Sequence, residues 1–222
     1  KALSPVKVPA LTGIAKISAG YAMVAVTTTG HVITWGPAYR NVAMGRPDLN
    51  PEDDYAPPAE IPDLTDVVDA VGSHVTAVLK KDGTVWVWGD NSQAMFGNGR
   101  RTDKDASRTP VRVAAVTNAV ALVGSPLGRH LIALLRDGTL RGWGSSDWGQ
   151  IGNGVSGQEQ ASVATPRIAG VTAVFAAGNN TYAVKADGTL WAWGARTTHT
   201  SPQSWPLSKE TPVPATINIP LR

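Results

Sequence analysis

The sequence predicts an all-β protein assembled from one repeated unit, and three observations lead there. The phrase "KKDGTVWVWG" at 80–89 returns as "LRDGTLRGWG" at 135–144 and "KADGTLWAWG" at 185–194, with an eroded copy, "TTTGHVITWG", at 27–36. Glycines (23) and prolines (16) punctuate the 222 residues heavily while charged residues make up only 17%, a balance that fits many short strands joined by turns. Apolar residues alternate with period two, and no stretch carries a helical period.

Each unit reads the same way from its start. A proline opens it, at Pro5, Pro57, Pro110 and Pro166, with a fifth copy at Pro212. A short apolar strand follows ("IAKISAG", "VVDAVG", "AVALVG", "AVFAAG"), ending at Gly20, Gly72, Gly124 and Gly178. The second strand places Ala25, Val78, Ala133 or Ala183 five residues before the turn glycine, a small side chain that lets neighbouring sheets approach. The turn itself, Asp-Gly in three copies, is a strong hairpin signal because its glycine takes positive φ. The third strand closes on Trp-Gly, where a glycine admits close backbone approach. Trp86 and Trp88, like Trp191 and Trp193, share one strand face. The Trp-Gly glycines are Gly36, Gly89, Gly144 and Gly194, spaced 53, 55 and 50 residues apart, so the chain is one repeat domain with units at about 1–50, 51–105, 106–160 and 161–222. Strands apolar on both faces cannot hide themselves alone. Stacking such sheets radially hides them and leaves short edges, as in a β-propeller of about four antiparallel blades.

The frame of Pro-Val, apolar-Gly-x-x-His, Ala-apolar, Asp-Gly, Trp-Gly and Gly-Gln-x-Gly-x-Gly resembles the repeat of the regulator of chromosome condensation family. The third unit matches best, with "TPVRVAAVTNAVALVG", His130, Ala133, Asp137 and Gly138, Trp143 and Gly144, and "WGQIGNG" at 148–154. In the second unit Ala94 and Met95 interrupt the tail. The fourth diverges after Trp-Gly to "ARTTHTSPQSW", and the first to "GPAYRNVAMGRPDLNPEDDY". No Gly-Gly doublet of kelch repeats or Trp-Asp of WD repeats is present. The resemblance implies a ring, commonly of seven blades, against four Trp-Gly cores and five Pro-led strands here. Three arrangements stay open: a four-unit ring closed by the chain's own ends, a segment of a longer array, or self-association that completes a ring. Incomplete closure within one chain is favoured.

Catalytic chemistry finds no foothold, and no enzyme, metal or cofactor is expected. His31, His74, His130 and His199 occupy non-equivalent places without ligand spacing, and His130 reads as a structural hydrogen-bonding residue. "DLNPEDDY" at 48–55 clusters four carboxylates, but Pro51 breaks the series and no bend glycine follows, unlike a calcium loop. "GQIGNG" lacks the Lys-Ser/Thr of a phosphate loop. The absence of cysteine excludes disulfides and thiolate chemistry. A formal charge of +3, with its densest basic cluster diluted in "GRRTDKDASR" at 99–108, argues against nucleic acid. No apolar run reaches a membrane span, and "KALSPVKVPALTG" lacks the core of a signal peptide.

Loops diverge while the scaffold repeats, so function is expected in the loops. Tyr39, Arg40, Asp53, Asp54 and Tyr55 in the first tail, Asp147 and Trp148 in the third and Trp205 in the fourth are the candidate contacts, because exposed Trp, Tyr and Arg are favoured binding residues. The resemblance implies several uses: nucleotide exchange on a small GTPase with chromatin binding, inhibition of secreted bacterial β-lactamases, or interaction domains in larger proteins. The reading is a non-catalytic protein-binding module. The cysteine-free, Thr/Ala/Val-rich units favour an extracellular or cell-surface bacterial binder or inhibitor. The alternatives are a carbohydrate-binding propeller using rim tryptophans and a structural repeat of a larger surface protein.

Overall fold

The computed structural model of the protein describes residues 4, 5, 7, 8, 11–37, 42–50, 53–100, 106–125, 127, 129–195 and 210–216. Among them are sixteen strands and no α-helix. The first sheet is β1 (Ile14–Ala19), β2 (Met23–Thr27), β3 (Val32–Pro37) and β4 (Tyr55–Glu60). The second is β5 (Val67–Gly72), β6 (Val75–Lys80), β7 (Val85–Gly89) and β8 (Ser107–Arg112). The third is β9 (Ala119–Gly124), β10 (His130–Leu135), β11 (Leu140–Ser146) and β12 (Gln158–Ala164). The fourth is β13 (Val171–Ala177), β14 (Asn180–Lys185), β15 (Leu190–Ala195) and β16 (Glu210–Thr216). Every sheet is a four-stranded antiparallel meander in chain order.

In three copies the Pro-led strand is the last strand of the preceding sheet, not the first of the next; Pro166 falls just beyond the last strand of the third sheet, β12. Tyr55 in β4 pairs with Pro37 in β3, and β16 with Pro212 pairs with β15. Sheets therefore run one strand out of step with the repeat frame read from the prolines. Proline cannot donate to a ladder, and β4, β8 and β16, which carry Pro57, Pro110 and Pro212, all lie at sheet edges. Those prolines also blunt the edges against further pairing.

The hairpin signal becomes a three-residue loop. In the second sheet Lys81, Asp82 and Gly83 link Lys80 and Thr84, with Gly83 N–H donating to Lys80 C=O at 2.9 Å and Lys80 N–H to Thr84 C=O at 2.9 Å. Gly83 has φ 80°, as this turn with its left-handed last residue requires. The Asp side chain locks the turn. Asp82, Asp137 and Asp187 each accept the hydroxyl of the threonine two residues on at 2.6 Å and its N–H at 2.9–3.0 Å.

The core lies in three slabs between consecutive sheets. Val24, Val26, Val32, Val67, Val78 and Trp88 fill the first; Val75, Leu79, Val87, Leu122, Leu131 and Trp143 the second; Ile132, Leu134, Leu140, Val174, Ala183 and Trp193 the third. Burial of β10 at every position explains its unbroken apolar run, since both faces are covered. Ala25, Val78, Ala133 and Ala183 are fully buried, as their small size anticipates. Substantial contacts link the first sheet to the second, the second to the third and the third to the fourth. No comparable contact joins the fourth to the first among the described residues.

Candidate functional site

Antiparallel order decides which loops meet. The β1–β2, β5–β6, β9–β10 and β13–β14 turns share one end of the sheets with the described parts of the long third-to-fourth-strand connections of the first three sheets, 42–50 and 53–54, 90–100 and 106, and 147–157. The Asp-Gly turns and the sheet-to-sheet links occupy the other end. The described candidate contacts, Asp53, Asp54, Tyr55, Asp147 and Trp148, belong to the long-loop end.

The long loops vary in sequence, yet a common clasp pins them. Trp88 Nε1 donates to Ala43 C=O at 2.9 Å, Trp143 Nε1 to Met95 C=O at 2.8 Å and Trp193 Nε1 to Gln150 C=O at 2.9 Å. Each bond runs from one sheet to the loop of the sheet before it. A glycine two residues beyond each carbonyl, Gly45, Gly97 or Gly152, sits on the tryptophan. At Gly152 (φ 80°) an added Cβ would lie 2.6 Å from Trp193 Nε1, so the loop can cover the indole only with glycine. Gly97 of "FGNG" and Gly152 of "GQIGNG" serve this clasp. The first tail, eroded as it looks, keeps it in "AMG" at 43–45.

Further bonds stiffen the third loop. Gln150, fully buried, accepts the Trp148 N–H at 2.9 Å through Oε1 and donates to Ser145 Oγ at 3.2 Å. Ser145 Oγ donates to Asp147 Oδ2 at 3.0 Å, and Ser146 Oγ to Val155 C=O at 3.0 Å. On this frame Asp147 is exposed and Trp148 is 43% exposed, an indole held in water by an ordered backbone. In the first loop Asp53 and Asp54 are exposed and Tyr55 is 55% exposed. Nearby, Arg46 is buried and donates to Pro57 C=O at 3.0 Å. Burial pushes its guanidinium pKa below the ordinary value, with Asp48 opposing the shift.

The acidic and aromatic residues of the first loop thus share an end with Asp147 and Trp148, two sheets apart. Among the described residues no hydrogen bond or ion pair joins the two groups. Tyr39, Arg40, Trp205 and His199 lie outside the described residues. His130 is fully buried and its Nε2 meets Thr181 Oγ1 at 2.9 Å across the third and fourth sheets, a structural link. Among the described residues no three His, Asp or Glu side chains gather as for a metal, and no helix is long and apolar enough to cross a membrane.

Sequence reasoning missed two features of this end. Leu127, at the tip of the β9–β10 turn, is 79% exposed; its position between Pro126 and Gly128 was the available signal. Tyr21 hydroxyl meets His74 Nε2 at 2.7 Å with the rings 4.1 Å apart, joining the first two sheets beside the loops. Only the fold brings that pair together.

The fold and this face define a repeat protein of β-propeller type with a loop-built surface. Residues 68–94 match the profile described as "Regulator of chromosome condensation (RCC1) repeat", and the chain as a whole is similar to proteins that carry this repeat. RUG3, the mitochondrial RCC1 domain-containing protein of Arabidopsis thaliana, is 28% identical over 177 residues, covering 77% of this chain and 39% of that protein. The ultraviolet-B receptor UVR8 of the same plant is 28% identical over 199 residues, covering 86% and 44%. Human E3 ubiquitin-protein ligase HERC2 is 25% identical over 176 residues, covering 76% and 4%. Among solved structures, Prp20p of Saccharomyces cerevisiae superimposes with a TM-score of 0.80 at 21% identity, over 98% of this chain and 53% of that one. Human WBSCR16 gives a TM-score of 0.77 at 19% identity, over 92% and 52%. The chain spans less than half of RUG3 and of UVR8, and about half of each solved chain. Prp20p is described with its binding to Gsp1p and histones, and in complex with Kap60.

Proposed function

We propose that the chain is a non-catalytic protein-binding module whose long-loop end makes the contact. One observation carries the reading: each of the first three sheets sends its most variable loop to the same end, and the tryptophan clasps on those loops hold that end rigid. Rigid aromatic and charged groups on a fixed scaffold make good anchors because little side-chain freedom remains to be lost. Trp148, with Asp147 beside it, is the central anchor, and Asp53, Asp54 and Tyr55 supply a second, acidic contact. Protein binding by the related Prp20p supports the class of partner. The relatives named above come from plants, yeast and humans, so the bacterial, extracellular and inhibitor expectation drawn from composition gains no support from them. The ligase activity in HERC2's name is that of a protein of which the matched stretch is a twenty-fifth part.

The test pairs two chains. Wild type and a Trp148→Ala, Asp53→Asn, Asp54→Asn variant are immobilised and used to capture proteins from an extract. Any protein held by wild type alone is then purified and titrated against both by calorimetry. A single-site isotherm that weakens at least tenfold in the variant is expected. A partner that binds both chains equally would overturn the loop-end reading. Quenching of Trp148 by simple sugars would favour the carbohydrate alternative.

A further inference from the structure

The β9–β10 turn sits between the second and third long loops, and its last residue carries a charge that no carboxylate meets among the described residues. That residue, Arg129, is exposed and immediately precedes β10. Its backbone and side chain are both held. The C=O accepts the Ser145 N–H at 2.7 Å, an approach that Gly144 allows, since a Cβ there would lie 2.6 Å from the Arg129 oxygen. The guanidinium Nη1 donates to Gln93 Oε1 of the second loop at 3.2 Å. A neutral amide thus fixes the cation in place. The acids of the two flanking loops are engaged elsewhere: Asp90 Oδ1 accepts the Ser92 N–H at 2.7 Å, and Asp147 Oδ2 the Ser145 hydroxyl at 3.0 Å.

Arg129 also holds this place against its backbone. Its φ is 49°, a left-handed conformation that strains any residue with a Cβ. Tyr21, His74 and Asn179, which stand at the same position in the other sheets, do not adopt it. A glycine would take that backbone freely; what it would lose is the guanidinium. Apolar surface flanks the charge. Leu127, two residues before, is 79% exposed, and Trp148 is 43% exposed. Gln93 and Trp148 hold one place in successive loops, each two residues before a carbonyl that clasps a tryptophan, Met95 or Gln150. The polar copy holds the guanidinium, and the aromatic copy lies on the other side of the turn. From Ser145, bonded to Arg129, three peptide units reach Trp148, a span of at most about 11 Å.

We propose that this turn receives a short acidic and apolar segment of a partner protein: a carboxylate pairs with the Arg129 guanidinium, and a large apolar side chain a few residues away packs on Trp148 and Leu127. The inference rests on the loop-end reading and names the partner chemistry for it. The planar fork of an arginine matches a carboxylate in two parallel bonds. Nη1 already meets Gln93, and the edge formed by Nε and Nη2 remains for the carboxylate. Three or four extended residues, at about 3.3 Å each, cover the span from cation to indole. The paired charge fixes register while the apolar contact supplies affinity. Asp90 and Asp147, fixed in the flanking loops, repel a doubly charged phosphate more than a single carboxylate.

Random peptides displayed on phage and selected on the immobilised full chain test this. Winners from wild type should carry Asp or Glu within about four residues of Leu, Ile, Phe or Trp. Synthetic copies should bind wild type at least tenfold more tightly than they bind Arg129→Gly or Trp148→Ala. Selection on Arg129→Glu should replace the acids with Lys or Arg. Arg129→Gly should melt no lower than wild type, because glycine accepts φ 49°. Arg129→Asn, which tolerates the same backbone, carries the test if the glycine chain melts early. Peptides that need Trp148 but ignore Arg129 and show no acidic bias would overturn this inference and leave the loop-end reading standing. Peptides that bind Trp148→Ala and Arg129→Gly as well as wild type would overturn both. Acidic winners on Arg129→Glu, or no enriched sequence on wild type, would overturn the inference alone.

Discussion

The two ends of the sheets obey different rules. At the turn end the chemistry is nearly copied from sheet to sheet: Asp82, Asp137 and Asp187 make the same pair of bonds to Thr84, Thr139 and Thr189 within about a tenth of an ångström. At the loop end the tryptophan clasp recurs, joined in two copies by a threonine hydroxyl on the same carbonyl (Thr76 on Ala43, Thr181 on Gln150), and the rest of each loop changes in length and sequence. The turn end therefore specifies the fold, while the loop end is free to specify a partner. A sharp form of this contrast is that stability and binding should separate by residue.

The largest effect is expected where the two ends depend on the same side chain. Trp143 is fully buried and ties the third sheet to the Met95 carbonyl, so Trp143→Ala should cost about 4 kcal/mol in denaturant unfolding. Trp35, half-buried and without that clasp, should cost no more than about half as much. Equal losses would show that the clasp adds nothing to burial. Gly152→Ala comes next. Its Cβ would strike Trp193 Nε1 in a left-handed backbone, and a loss of about 2–3 kcal/mol is expected. The same substitution at Gly157, where a Cβ meets nothing within 4 Å at φ 78°, should cost only the backbone strain, about 1 kcal/mol.

Acid should act on the turn end alone. Asp82, Asp137 and Asp187 sit below the usual carboxylate pKa, first through the threonine hydroxyl bond and then through the threonine N–H. A carboxylate depressed in the folded state adds stability that is full above its unfolded pKa and is lost as pH falls through the folded one. The melting temperature should therefore drop on acidification below the ordinary carboxylate range. Changing all three to Asn should flatten that limb by lowering the neutral-pH melting temperature toward the value wild type reaches in acid. The first sheet, with Thr29 in the Asp position, contributes nothing to this effect. An acid limb identical in the triple variant would place the titration elsewhere.

Strands, turns and the Trp-Gly glycines were legible in the sequence because their signals are local: a period of two, and a turn that needs one residue at positive φ. The sheet boundaries were not. Tyr55 pairs with Pro37 across eighteen positions of variable chain, and no local pattern says that a Pro-led strand completes the sheet before it. The clasp was half legible. The glycines of "FGNG" and "GQIGNG" stood out, but their link to the next unit's tryptophan is a tertiary fact. The same clasp in "AMG" was hidden because Gly45 lies nine residues beyond Gly36, whereas Gly97 and Gly152 lie eight beyond their counterparts. Candidate contacts were named from residue type and loop divergence. The gathering of the described ones at one end follows from the meander, which was implicit in the hairpins.

Trp148→Ala is the prediction with the smallest effect on stability and the greatest bearing on function. The indole is 43% exposed, and the loop's internal bonds use the Trp148 backbone N–H, not the ring. Its removal should change unfolding free energy by no more than about 0.5 kcal/mol. The clasp beneath it, from Gln150 C=O to Trp193, is untouched. Partner affinity should nonetheless fall by at least tenfold, because a large side chain presented on a rigid loop loses little freedom when it docks. The paired measurements are a melting curve and a titration on one preparation. A stability loss matching that of Trp143→Ala would make Trp148 part of the scaffold. Unchanged melting with unchanged affinity would move the contact to Leu127 and the first loop, which occupy the same end and remain intact in the variant.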